Sequence, residues 1–308
     1  MYRFGARDAA LACLVGQNAG LILITKYSYR PDAVAYSQPS AVFASEWLKL
    51  ITCLSLECIA VKFDVLKLLK SLGFSTSNLF MIVPATLYVF QNLLQLRAID
   101  GLSPAVYVTG AQLKVVTSAI FSIILLRRSL SHTKVLSFLP LMTGVALVQL
   151  KSDPLGKLVS NSEQVTPVLC LLCAVTLSGL SGALLELSFK RQGESIWAKN
   201  LFLSLFSLPT AGFAAVIDMK SSGKSYSLSS FTEGFDTAVL ILILFLALGG
   251  LLTALVMKHA GALTKCYAVS LSIIICTSIT AYFGLQAMNF SNVLGISLVI
   301  WSIFLYTK

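Results

Sequence analysis

The chain has 308 residues, of which 56% are hydrophobic and only 12% charged, with mean hydropathy +0.84. Soluble domains carry about 25% charged residues, so this composition excludes a water-coated globule and points to a polytopic membrane protein. The formal charge of +10 is spread between apolar runs rather than gathered in a basic stripe, which excludes nucleic acid as a partner.

Apolar runs of spanning length recur at 8–25, 38–61, 76–96, 102–126, 133–150, 165–189, 196–217, 236–257, 262–287 and 291–307. The first follows two arginines and lacks a small-residue cleavage site, so it is expected to be a retained helix. The second carries Glu46 and Lys49, spaced to pair with each other more readily than with a substrate, and Glu57, expected to reach solvent near its end. In the third, Gln91 and Asn92 are costly in lipid and should face the protein interior. The fourth reads LSPAVYVTGAQLKVVTSAIFSIILL, with Lys114 near its middle. About twelve residues separate this lysine from either end, roughly 18 Å of helix, too far for easy snorkelling. Tyr107, Ala111 and Lys114 share one face, and Gly110 leaves room beside them. An intramembrane charge of this kind marks a substrate pocket or a structural ion pair.

Cys170 and Cys173 in the sixth run read as small buried hydrophobes, not metal ligands, and no metal site or cofactor is expected. Glu186 and Lys190 close that run, as an ion pair or as a gate. Lys265 opens the ninth run, where snorkelling is easier. His132 and His259 sit near helix ends, and no HExxH, GxSxG or Walker A pattern is present, so neither an enzyme nor an ATP-driven pump is expected.

Alternating the loops, with the run ends beside them, between two sides places thirteen Lys and Arg on the side of the N-terminus and seven on the other, with Lys49, Lys114 and Lys265 assigned to the runs themselves. That bias predicts cytosolic termini. A weak internal match, GLSPAVY (101–107) with GALTKCY (261–267) and VVTSAIF (115–121) with ICTSITA (275–281), suggests a duplicated chain. The expected fold is therefore all-α, with ten transmembrane helices as two inverted five-helix repeats: 1–150, a lumenal connector at 151–164, and 165–308. Inverted repeats are a transporter signature, with the site near the midplane. Lysines in such a pocket select an anion. A nucleotide-sugar fits, and so do triose phosphates and other organic anions.

Residues 101–150 resemble the nucleotide-sugar transporters of the drug/metabolite transporter superfamily, in the branch of CMP-sialic acid and UDP-galactose transporters. The resemblance rests on Tyr107, Gln112-Leu113-Lys114, Arg127-Arg128-Ser129-Leu130-Ser131 and Gly144-Val145-Ala146-Leu147-Val148-Gln149. Residues 249–284 and the pentapeptide EWLKL at 46–50 extend it across nearly the whole chain. It implies ten helices, a Golgi or endoplasmic reticulum membrane, and exchange of a cytosolic CMP- or UDP-sugar for a lumenal nucleoside monophosphate. By position it implies substrate contacts at Tyr88, Asn92, Tyr107, Lys114, Asn200, Thr253 and Lys265. Ala111, Leu93, Ser204 and Gly261-Ala262 depart from the family pattern and leave the base and sugar open. A proton-coupled exporter, using Glu46 or Glu186, and a non-transporting scaffold are the competing expectations. The oligomeric state is not set by the sequence, and a homodimer stays open.

Overall fold

The computed structural model describes residues 5–30, 33–73, 75–102, 104–149, 165–191, 195–223, 226–284 and 288–307; the expected connector at 151–164 lies outside them. These residues form helices and turns, with no strand among them. In chain order the helices are α1 (Ala6–Ser28), α2 (Gln38–Ala60), α3 (Val65–Ser71), α4 (Thr76–Leu79), α5 (Ile82–Gly101), α6 (Pro104–Ala111), α7 (Lys114–Leu126) and α8 (His132–Leu136). They continue as α9 (Phe138–Gln149), α10 (Val165–Phe189), α11 (Ile196–Ser221), α12 (Leu228–Phe231), α13 (Thr237–His259), α14 (Ala262–Tyr282) and α15 (Phe290–Thr307). Among the described residues every apolar run is thus largely helical, and eight helical segments are long and apolar enough to cross a membrane. The chain is a polytopic all-α membrane protein. α2, which carries Glu46, Lys49 and Glu57, and the α8–α9 run are not among those eight.

Three runs are interrupted, two of them for a local reason. Proline lacks an N–H and clashes with the carbonyl four residues back. Pro84 and Pro140 place that clash at Phe80 and Leu136, where α4 and α8 end. The fourth run breaks without a proline. Gln112 N–H donates to the Thr109 carbonyl (3.2 Å), Leu113 N–H to Gly110 (3.0 Å) and Val115 N–H to Gln112 (3.0 Å), a tightened turn that separates α6 from α7. The continuous helix expected over 102–126 is therefore two helices, and Lys114 is the first residue of the second.

The chain divides into two compact units, Met1–Thr86 with Ser188–His259, and Leu87–Leu187 with Ala260–Lys308. Each draws on both halves of the sequence. In the first, α2 packs on α11 and α13, and α13 on α1. Tyr36, Ala41, Val239, Leu242 and Ile243 form its buried cluster. Outside the spans, Arg30 pairs with Asp236 at 2.6 Å, and Asp236 accepts the Val239 N–H at the start of α13. Glu57, expected to reach solvent, is instead 1% exposed and accepts hydroxyl protons from Ser71 and Ser195. Ser195 also caps α11. The carboxylate thus ties the ends of α2 and α3 to the start of α11, and burial without hydrogen bonds would be costly.

In the second unit, α9 packs along α15, and α14 along α7 and α9. Val115, Leu141, Val145, Tyr267 and Val299 are central to its core. A Cβ on Gly144 would lie 2.7 Å from the Gly295 carbonyl oxygen, and one on Gly295 equally close to that of Gly144. The two backbones therefore touch, the contact small residues permit between membrane helices. Tyr267 hydrogen-bonds the Ser137 hydroxyl (2.5 Å), and Ser302 donates to the Ser137 carbonyl (2.6 Å), joining α14 and α15 to the α8–α9 break.

Candidate functional site

The broken fourth run opens a cavity of about 200 Å³ in the second unit. Its polar lining is Gln95 from α5, Tyr107 from α6, Gln112 and Lys114 at the break, Gln149 from α9 and Ser178 from α10. Val108, Ala111, Val175 and Ile273 supply apolar wall. The cavity is smaller than the roughly 300–1,000 Å³ of drug-sized ligand pockets, so it suits one end of an extended ligand. Thr117 of α7 donates to the Val175 carbonyl of α10 (2.7 Å), which fixes one wall. Leu102, Leu171 and Val175 pack beneath Tyr107 and Ala111.

Lys114 has no acidic partner among the described residues. The tightened turn keeps the neighbouring N–H groups bonded, Leu113 to Gly110 and Val115 to Gln112, so the positive charge at the cavity is the lysine's own. A phosphate would neutralise it. Lys265 lies in the first turns of α14, half-buried and likewise without an acidic partner among the described residues. It does not line the Lys114 cavity; Ile273, two turns further along α14, does.

The other expected contacts divide between the units. Tyr88 is half-buried on α5. Gln91 is buried, and its carbonyl oxygen has no partner among the described residues, but Asn92 is exposed, so only one of the two amides is buried as expected. In the first unit Asn200 is 1% exposed on α11, with its amide beside the Cys53 thiol of α2. A thiol is a weak acceptor, and a ligand oxygen would be a stronger one. Thr253 is half-buried on α13. Glu46 and Lys49 form the expected internal pair at 2.7 Å, and the Lys49 stem packs over Gly250.

Glu186 takes a partner its sequence neighbours do not suggest. Fully buried on α10, it pairs with Arg128 (2.7 Å) and accepts the Ala262 N–H (2.7 Å) at the start of α14. Gly261, the N-cap of α14, has φ +93° and no side chain, and a Cβ there would lie 2.5 Å from Glu186 Oε1. The carboxylate caps the helix from across the unit where Gly261 cannot. Lys190 is half-buried in the turn after α10.

Sequence reasoning missed Gln95, Gln149 and Ser178 as cavity residues, and Arg128 as the partner of Glu186. The glutamines were findable by the argument applied to Gln91 and Asn92: an amide in an apolar run is expensive in lipid and tends to face protein or water. Arg128 sits 58 positions from Glu186 by their numbering, and no local spacing joins them.

Residues 6–307 match the family model described as nucleotide-sugar transporter. The chain is 33% identical over 309 residues to the UDP-N-acetylglucosamine transporter of Rattus norvegicus, covering 96% of this chain and 94% of that one. It is 33% identical to the UDP-galactose transporter of Schizosaccharomyces pombe (97% and 87% covered) and 33% identical to the UDP-galactose translocator of Mus musculus (97% and 77%). A solved crystal structure of a protein shares the fold at TM-score 0.71 and 13% identity, covering 98% of this chain and 96% of that one.

Proposed function

The chain belongs to the nucleotide-sugar transporter family, and from that premise we propose that it carries a UDP-sugar from cytosol to lumen in exchange for a nucleoside monophosphate. It is a transporter and not an enzyme. The observation that carries the reading is Lys114: a half-buried cation inside an apolar run, without an acidic partner among the described residues, at a helix break, on a cavity walled by amides and a tyrosine. Lys114 and Lys265 hold the phosphates, Tyr107 packs against the nucleoside, and Asn92 and Asn200 hydrogen-bond base or ribose. Tyr88 and Thr253 complete the contacts. The named activities of the relatives favour uridine as the base, and a CMP-sugar is the alternative the test separates.

Ten spans in two inverted repeats, cytosolic termini and a Golgi location complete the proposal, supported by the charge bias and the ten helical runs. Exchange has a physical basis. Two unpaired lysines in an occluded, low-dielectric site are costly, so the empty carrier reorients slowly and a bound monophosphate speeds it. A proton-coupled exporter would need a free carboxylate on the cavity. Its two candidates are each bound to a cation, Glu46 to Lys49 and Glu186 to Arg128.

Thermal stabilisation of the purified protein by UMP, CMP, GMP and AMP, each beside its nucleotide-sugar, tests the reading. Binding at a hundred times Kd stabilises by about 2.7 kcal/mol. UMP and a UDP-sugar should raise Tm most. No shift with any nucleotide at millimolar concentration refutes the reading.

A further inference from the structure

We infer that α3 is an in-plane membrane anchor whose lysines bind the head groups of anionic lipids. The helix lies outside the eight candidate spans. Seven residues reach about 10 Å, far short of a hydrocarbon core about 30 Å thick. Its apolar side chains are nonetheless bare: Val65 is 66% exposed, Leu66 80% and Leu69 66%, with Phe63 at 74% just before it. At 100° per residue, Val65, Leu66 and Leu69 fall on one arc, and Lys67, Lys70 and Ser71 on the other.

The orientation of α3 is held by its attachments. Ser71 donates to buried Glu57 of α2, Asn78 donates to the Ser71 and Gly73 carbonyls (3.0 and 2.8 Å), and Leu68 is half-buried. Ser71 and Leu68 therefore mark the side toward the protein, and Leu66, Leu69 and Lys70 point away from it. Asp64 caps the helix by accepting the Lys67 N–H (3.1 Å).

A bilayer interface matches this pattern. Acyl chains just below the head groups take the leucines, and phosphates take the lysines. Lys62, Lys67 and Lys70 against Asp64 leave the segment two charges positive. The Lys67–Asp64 pair (3.2 Å) is solvent-exposed, with Lys67 72% accessible, and holds its lysine weakly. That net charge selects anionic lipid, with about a fivefold gain in retention per lysine at the surface.

The test is hydrogen exchange of residues 62–72 in the whole protein, held in amphipol, in phosphatidylcholine nanodiscs, and in nanodiscs containing phosphatidylserine. Exchange should slow from the first to the third. A Lys62→Gln/Lys67→Gln/Lys70→Gln variant should keep the phosphatidylcholine protection and lose the phosphatidylserine increment. Leu66→Ser/Leu69→Ser should lose both. In native mass spectrometry the lysine variant should retain phosphatidylserine about a hundredfold less well. The nucleotide-induced Tm shift should persist in both variants, which separates this inference from the transport reading. Equal exchange in all three media overturns it. Protection that follows protein concentration rather than lipid would seat a second copy of the chain on this face and overturn it too.

Discussion

At the scale of single residues, Lys114 shows what an uncompensated charge predicts. A lysine at a membrane-helix centre costs about 2.5–3.5 kcal/mol on insertion scales. Removing it should relieve the empty protein while disabling the loaded one. Lys114→Ala is therefore expected to melt at or above the parent's temperature without nucleotide, and to lose at least tenfold in nucleotide affinity by thermal shift. A lower Tm with affinity intact would mean that Lys114 is structural. Glu57 shows the opposite lesson. Its sequence position near the end of an apolar run suggested solvent, but two serines from α3 and the start of α11 enclose it. The partners of Lys49 and of Lys114 were foreseeable to different degrees. Glu46 is three residues from Lys49 on one helix, whereas the glutamines around Lys114 come from α5 and α9.

At the scale of elements, helix existence followed from hydropathy, and helix breaks followed from local chemistry only where proline acts. The α6–α7 break has no sequence marker of that kind, yet its tightened turn lies at the lysine. The α9–α15 crossing depends on Gly144 and Gly295. Gly144→Val should lower Tm by several degrees, since about 1–3 kcal/mol is typical of an overpacked contact; a melting scan measures it. The start of α13 supplies a pH prediction. The Val239 N–H, and then the Arg30 guanidinium, hold the Asp236 carboxyl below the usual aspartate value. The unfolded chain takes up the proton at higher pH, so this carboxylate stabilises the fold above about pH 4 and loses that effect as pH falls through its lower folded value. The Tm gap between the parent and Asp236→Asn should hold from neutral pH down to about 4 and close below it.

At the scale of the whole molecule, exchange is the property to measure. Vesicles preloaded with UMP should take up labelled UDP-sugar at least tenfold faster than empty ones if reorientation of the empty carrier is slow. Equal rates would remove the electrostatic account of exchange. Each compact unit contains helices from both halves of the chain. The register that sets Gly101 opposite Gly261 also sets Ala105, not Lys114, opposite Lys265. The two lysines are thus not equivalents under that register, and both fall in the second unit.

The sequence by itself determined the class, the helical runs and the residues too polar for lipid. Those follow from transfer free energies, which depend on side-chain chemistry and chain length alone. It also singled out Lys114, because a charge twelve residues from either end of a run needs a reason. Tertiary structure decided the partners. It matched Glu186 with Arg128 and the α14 N-terminus, closed serines over Glu57, gathered three glutamines around Lys114, and left Asn92 exposed. Such pairings join residues far apart in the chain, and the free energy of a buried polar group is set by whatever packing brings beside it.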